Sequence, residues 1–144
     1  MYQISAETVI NGDLAMTWSV ATDVHNWSNW DPHEQEARLD GAFGVGGTGW
    51  SKPQGGPGTS WTITEVVPQS RWASECSLPG GKLSGENVFE QLENGQIRCS
   101  KTVSVTGPLV VLFRFYFGKR IRQDMFKTWA ALELETARRS EPAS

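Results

Sequence analysis

The sequence predicts an α+β domain in which a curved, seven-stranded antiparallel sheet wraps round one long C-terminal helix, with two short helices between the first and second strands. Three observations carry this expectation. After Gly107-Pro108 no proline occurs up to Arg139, and Phe113, Phe117, Ile121, Met125, Trp129 and Leu132 recur at spacings of three and four, as in an amphipathic helix. Pro108 suits a first helical turn, and at about 1.5 Å per residue the rod would be ~46 Å long. From His33 to Thr106 the chain instead runs in short β-rich segments parted by turn dipeptides. A sheet with one apolar face and a helix with one apolar stripe are each the obvious cover for the other. A curved sheet cannot follow a straight helix along its whole length, so a cavity between them is expected.

Taken in order, Tyr2 to Ile10 alternates loosely and reads as the first strand. Asn11-Gly12 stops it, Asn11 is a good cap for a helix from Asp13 to about Ala21, and Asp23 can cap a second short helix that ends at Asp31-Pro32. Six strands follow: Glu36 to Leu39, Thr48 to Lys52, Trp61 to Val67, Arg71 to Ser77, Ser84 to Leu92 and Gln96 to Val105. Asn94-Gly95, between the last two, is a two-residue hairpin signal. Short connections make the six an antiparallel meander, with the first strand closing beside the last and the helix pair plugging one end. The domain is expected to span residues 1–139, and 140–144, small and polar, reads as a loose tail.

The chain of 144 residues can bury one core. A formal net charge of −3 without a long basic run leaves no footprint for nucleic acid. The start has neither a basic leader nor an apolar run, and no stretch is apolar for long enough to span a bilayer, so a soluble, cytoplasmic protein is expected. Cys76 and Cys99 lack neighbours at zinc-site spacing. In a meander their strands are separated by a third, too far for a disulfide, so both are expected as free core thiols. No metal or cofactor is expected. Gly44 to Gly49 matches G-x-G-x-x-G, but Trp50-Ser51-Lys52-Pro53 follows where a helix would have to begin, so it reads as a strand-connecting loop. His25 and His33, the two histidines, have no nucleophile in a recognisable setting, although His33 near Trp30 could line a cavity mouth.

Seven tryptophans are unusual for this length and suit a packed core and an aromatic-walled pocket alike. Strand alternation puts Trp72 and Phe89 among the candidates for such a wall, together with Trp30 and the helix residues Phe113, Phe117 and Ile121. Counted at 100° per residue, Arg114 and Gly118 fall on the apolar face of the last helix. Either Arg114 marks the polar end of a cavity, or it snorkels to water at the end of the domain. Lys101 shares a strand face with Ile97, Cys99, Val103 and Val105. It is either an exposed tip at the sheet rim or a buried ammonium that needs Glu75, Glu86 or a ligand carboxylate. If the cavity does chemistry, Glu75, Glu86 and Lys101 are its available acids and bases.

The order of elements, with Asp23-x3-Trp27-x2-Trp30-Asp31-Pro32, Leu39-Asp40-Gly41-x-Phe43-x2-Gly46, Ile63-Thr64-Glu65-Val66-Val67-Pro68 and Gly107-Pro108-Leu109, resembles the polyketide cyclase/dehydrase and lipid-transport family of the START-like, helix-grip superfamily. The resemblance covers nearly the whole chain and is specific for the fold. It implies a hydrophobic cavity between sheet and final helix that holds a lipid-like, polyketide-like or other amphipathic small molecule. Some relatives carry such molecules and others cyclise or dehydrate them, with no catalytic motif common to all. The expectation is therefore a binding protein, with a cyclase or dehydratase using a buried acid or base as the second reading. A third has tryptophans filling the interior and leaving no cavity. The oligomeric state is open, a dimer included.

Overall fold

The computed structural model describes residues 1–140. The small polar end expected as a tail lies outside the described residues except for Ser140, which closes the last helix. Strands β1 (Tyr2–Asn11), β2 (Glu34–Asp40), β3 (Thr48–Pro53), β4 (Thr59–Val67), β5 (Arg71–Leu78), β6 (Gly81–Gln91) and β7 (Gln96–Thr106) form one antiparallel sheet. Its order is β1-β7-β6-β5-β4-β3-β2, the meander with the first strand closing beside the last. Register shifts between Glu34 and Glu36 and between Ile63 and Glu65 add local bend and twist.

Helix α1 (Leu14–Thr22), a 3₁₀ turn (Val24–Asn26) and α2 (Trp27–Trp30) lie between β1 and β2. The cap of α1 is Asp13, whose Oδ2 accepts from the Met16 amide at 2.9 Å, and not Asn11. Asn11 is engaged elsewhere, its amide donating to Glu133 Oε2 at 2.6 Å. The β6–β7 loop is also longer than expected. Asn94 and Gly95 both adopt left-handed backbone (φ 62° and 72°), as the dipeptide suggests, but the Leu92 amide closes on the Gln96 carbonyl at 2.8 Å, leaving three residues in the loop.

The C-terminal rod consists of α3 (Val110–Leu112), a π-helical turn (Phe113–Phe117) and α4 (Gly118–Ser140). Its buried stripe runs through Leu132, Trp129 and Met125 and packs with Ile4, Ala6, Ile97, Cys99, Val103 and Val105 on the inner face of the sheet. The π-turn breaks the 100° count: Gly118 N–H bonds the Phe113 carbonyl five residues back, one residue more than in an α-helix. The buried line therefore passes from Gly118 to Phe113, and the residues between them are rotated outward. Arg114 is exposed, with its guanidinium 5.6 Å from the centre of the Tyr2 ring.

The space beside Gly118 is occupied. A Cβ there would lie 2.8 Å from the Tyr2 hydroxyl and 2.9 Å from the Phe113 carbonyl oxygen. Gly118→Ala is expected to lower stability by about 1–3 kcal/mol through overpacking, read as a lower urea midpoint. Adding Tyr2→Phe should restore part of the loss, and a double variant no better than the single would remove the hydroxyl from the account.

Candidate functional site

Between the sheet, α2 and α4 lies a cavity of about 320 Å³. Its apolar wall is aromatic: Trp27 and Trp30 come from the helix plug, Trp61 and Trp72 from β4 and β5, and Trp129 from α4. Trp27 stacks on Trp61 with centroids 5.7 Å apart and planes at 21°. Trp72 is 5.9 Å from Trp27 and 6.4 Å from Trp61. Two indoles are fixed by hydrogen bonds, Trp27 Nε1 to the Ala21 carbonyl at 3.1 Å and Trp61 Nε1 to Ser51 Oγ at 3.2 Å. Trp61 lies flat across Gly49, its register partner on β3, where any Cβ would come within 2.3 Å of the ring. A glycine at 49 is thus what lets that indole lie against the sheet. The reading with tryptophans filling the interior fails, because a second layer of rings does the packing behind them. Phe89 and Phe43 lie edge-on to Trp18 at 5.9 and 6.5 Å, and none of these three lines the cavity.

The charged centre of the cavity joins Asp31 and Glu34, three residues apart in sequence, to Lys101 on β7. Asp31 ends α2, Glu34 opens β2 beside its bulge, and Lys101 projects from the inner face of β7. Asp31 is fixed in place: its carboxylate accepts from the His33 amide at 2.9 Å and from Thr128 Oγ1 of α4 at 3.3 Å. Glu34 is not. Its Oε2 is buried without a hydrogen-bond partner among the described residues. Burial first, then the charge of Asp31, pushes the Glu34 carboxyl up to about 7, with Lys101 pulling the other way. Burial lowers the Lys101 ammonium from its ordinary value, while Asp31 and Glu34 raise it. Lys101 has no hydrogen bond and no ion pair within 4.0 Å among the described residues. A charged donor, an acceptor oxygen and the unpartnered Nε1 of Trp30 thus occur in one cavity. Unmade bonds of this kind are costly in a folded protein unless a ligand or solvent completes them.

The structure divides the sequence candidates. Trp30, Trp72, Lys101 and Glu75 line the cavity. Glu75 is paired with Lys82 at 3.2 Å and Glu86 is exposed, so neither is the partner expected for Lys101; Asp31 and Glu34 take that place. Phe89 and Phe113 are buried in the core, and Ile121 packs beside it. Phe117 is turned 44% to solvent. Arg114 is carried away from the cavity by the π-turn. His33 lies with Nε2 3.7 Å from Asp124 of α4 and is not a lining residue. Cys76 and Cys99 are both free, and burial pushes the Cys99 thiol up to about 12, which makes it unreactive. Sequence reasoning missed Asp31 and Glu34. The available signal was two carboxylates three residues apart directly after Trp27 and Trp30, more acid than an aromatic plug needs. Among the described residues no three His, Cys, Asp or Glu side chains converge to hold a metal.

A sheet wrapped on a terminal helix, with a tryptophan-walled and partly polar cavity between them, defines the helix-grip fold. The sequence matches the model of the polyketide cyclase/dehydrase and lipid transport family over residues 1–137. The chain belongs to that family. Among solved structures it is similar to a hypothetical protein of Helicobacter pylori (TM-score 0.81, 12% identity, 94% of this chain and 88% of that one). It is also similar to a START superfamily protein of Mycobacterium smegmatis (0.79, 12%, 97% and 100%). A third is the Zhui aromatase/cyclase of Streptomyces sp. R1128 (0.79, 15%, 99% and 98%). At these identities the likeness is one of fold. No curated protein matches the sequence.

Proposed function

We propose that the protein binds an amphipathic, ring-containing small molecule that carries a hydroxyl or keto oxygen. Its flat body lies against Trp27, Trp61 and Trp72, and its oxygen meets Lys101 and Glu34. The single observation that supports this best is the unpartnered Lys101 ammonium in an aromatic cavity. Rings bury area against the indoles at ~25 cal/mol per Å², and one charged hydrogen bond fixes orientation. A hydroxyl fits the pair better than a carboxylate does. It accepts from the ammonium and donates to Glu34 Oε2, whereas a carboxylate would face the Asp31 carboxylate and has no proton to donate to Glu34 Oε2. Tryptophan quenching should show 1-naphthol binding about tenfold or more tighter than naphthalene, the worth of one charged hydrogen bond. Equal affinities would sink the reading.

One observation favours a second reading, acid–base chemistry on the bound molecule: a carboxyl shifted to about 7 beside a lysine, since a base poised near neutrality suits proton transfer. Glu34 would take a proton from the carbon next to a ligand carbonyl, and Lys101 would stabilise the resulting enolate oxygen, as cyclisation or dehydration of a polyketide-like chain requires. Exchange of the α-protons of 2-tetralone in D₂O, followed by NMR, tests this. Acceleration by the wild type that is lost in Glu34→Gln supports it; exchange at the buffer rate leaves a carrier.

A further inference from the structure

The first turns of the C-terminal rod present a surface that neither the core nor the cavity uses. Val111, Leu112, Phe115 and Tyr116 are 57, 44, 71 and 74% exposed. A soluble protein normally buries most of a run this apolar, so a cluster of this size marks a docking surface. Its chemistry identifies the partner. Residues 107–127 hold five of the chain's thirteen basic residues and only one of its sixteen acidic ones, in a protein of net charge −3. Lys119 and Arg120 stand one helical turn on from Phe115 and Tyr116, and Arg122 follows; all three are exposed. An apolar tip ringed by cations matches the layering of an anionic bilayer, acyl boundary inside and phosphates outside. A second copy docking the same patch on itself would oppose Lys119, Arg120 and Arg122 to one another. Among the described residues no helix is long and apolar enough to cross a membrane, which fits a tip that rests in the interface.

We propose that this tip docks on anionic lipid membranes, with Phe115 and Tyr116 entering the headgroup region and Lys119, Arg120 and Arg122 lying on the phosphates. The tip is joined to the cavity wall. The Leu109 amide bonds the Gly80 carbonyl at 2.8 Å, in the β5–β6 turn, and the strands on either side of that turn supply Cys76, Leu83 and Ser84 to the cavity. Docking would bring that wall to the bilayer surface.

The test is flotation of the full chain with vesicles of phosphatidylcholine alone and of phosphatidylcholine with 30 mol% phosphatidylglycerol, at low and at 0.5 M salt. Binding is expected to the anionic vesicles only and to fall with salt. Phe115→Ser/Tyr116→Ser and Lys119→Glu/Arg120→Glu should each reduce partitioning by roughly tenfold or more. The four positions are exposed, so both variants should keep the wild-type melting temperature. A charge-neutral substitution at the opposite end of β7 from the tip, at exposed Gln96, Gln96→Ser, should partition as the wild type does. No binding to anionic vesicles overturns the proposal, as does binding that the tip variants leave unchanged. So does sedimentation showing a vesicle-free dimer that Phe115→Ser/Tyr116→Ser dissociates, which would assign the patch to a second copy. None of these outcomes depends on what the cavity holds.

Discussion

Lys101→Met is expected to weaken 1-naphthol binding by about 10–100-fold while leaving naphthalene almost unaffected, because the substitution keeps the length and apolar stem of the side chain and removes only the charged donor. A hydrogen bond to a charged group is worth about 1.5–3 kcal/mol, and at 1.4 kcal/mol per factor of ten this gives that range. The fold should tolerate the change. Lys101 lowers the Glu34 pKa, so without it Glu34 stays protonated to higher pH and no new buried charge appears. A calorimetric midpoint at pH 6 close to that of the wild type, together with lost selectivity for the hydroxyl, is the expected pair of results. Equal loss of affinity for both probes would assign Lys101 to the wall and not to recognition.

Glu34→Gln should flatten the pH dependence of stability and raise stability at pH 8. The folded-state pKa of Glu34 is about 7 against an ordinary value of 4.5. Between these values the native state holds a proton that the unfolded chain has released, so stability is highest below 4.5 and declines as pH rises to 7. Above 7 the native state carries the ionised group at a cost of up to about 3 kcal/mol, less whatever solvent screens this half-buried carboxyl. In a domain of this size that is a melting temperature lower by roughly 10 °C. Glutamine keeps the shape and never ionises, so the variant should melt near the wild type at pH 5 and clearly above it at pH 8. Parallel curves for the two proteins would show that Glu34 ionises freely in the fold.

The two residues tested above differ in how visible they are in the sequence. Lys101 sits on a strand whose alternation is clean from Ile97 to Val105, so its face follows from counting by two, and the neighbouring turn dipeptides fix most strand ends to within a few residues. Its electrostatic partners do not follow, because Asp31 and Glu34 lie about seventy residues away and meet it only when the helix plug closes on the sheet. The rod shows the opposite failure. Its existence and its buried stripe from Met125 to Leu132 are plain, but one π-turn, invisible to a count of 100° per residue, takes Arg114 out of the cavity and Phe117 partly into solvent. Gly118 was the sign of it, for a reason that needs Tyr2, a residue from the other end of the chain. The tryptophan count pointed to a pocket or a packed core, and the fold contains both: Trp27, Trp61 and Trp72 face the void while Trp18 packs behind them.

Two side-chain stitches tie the plug to the rod. Thr128 holds Asp31 at 3.3 Å and Arg139 reaches Asp23 at 3.5 Å, eleven residues apart on α4, so the short helices are bolted down at both ends over about 16 Å. Ser51 of β3 and Thr59 of β4 also line the cavity, and the loop between these strands is tied at its first residue, where the Gln54 amide bonds the His33 carbonyl at 2.8 Å. Substitutions among the glycines and proline of residues 55–58 are expected to change how fast 1-naphthol enters and leaves, read by stopped-flow quenching, while its preference over naphthalene stays the same.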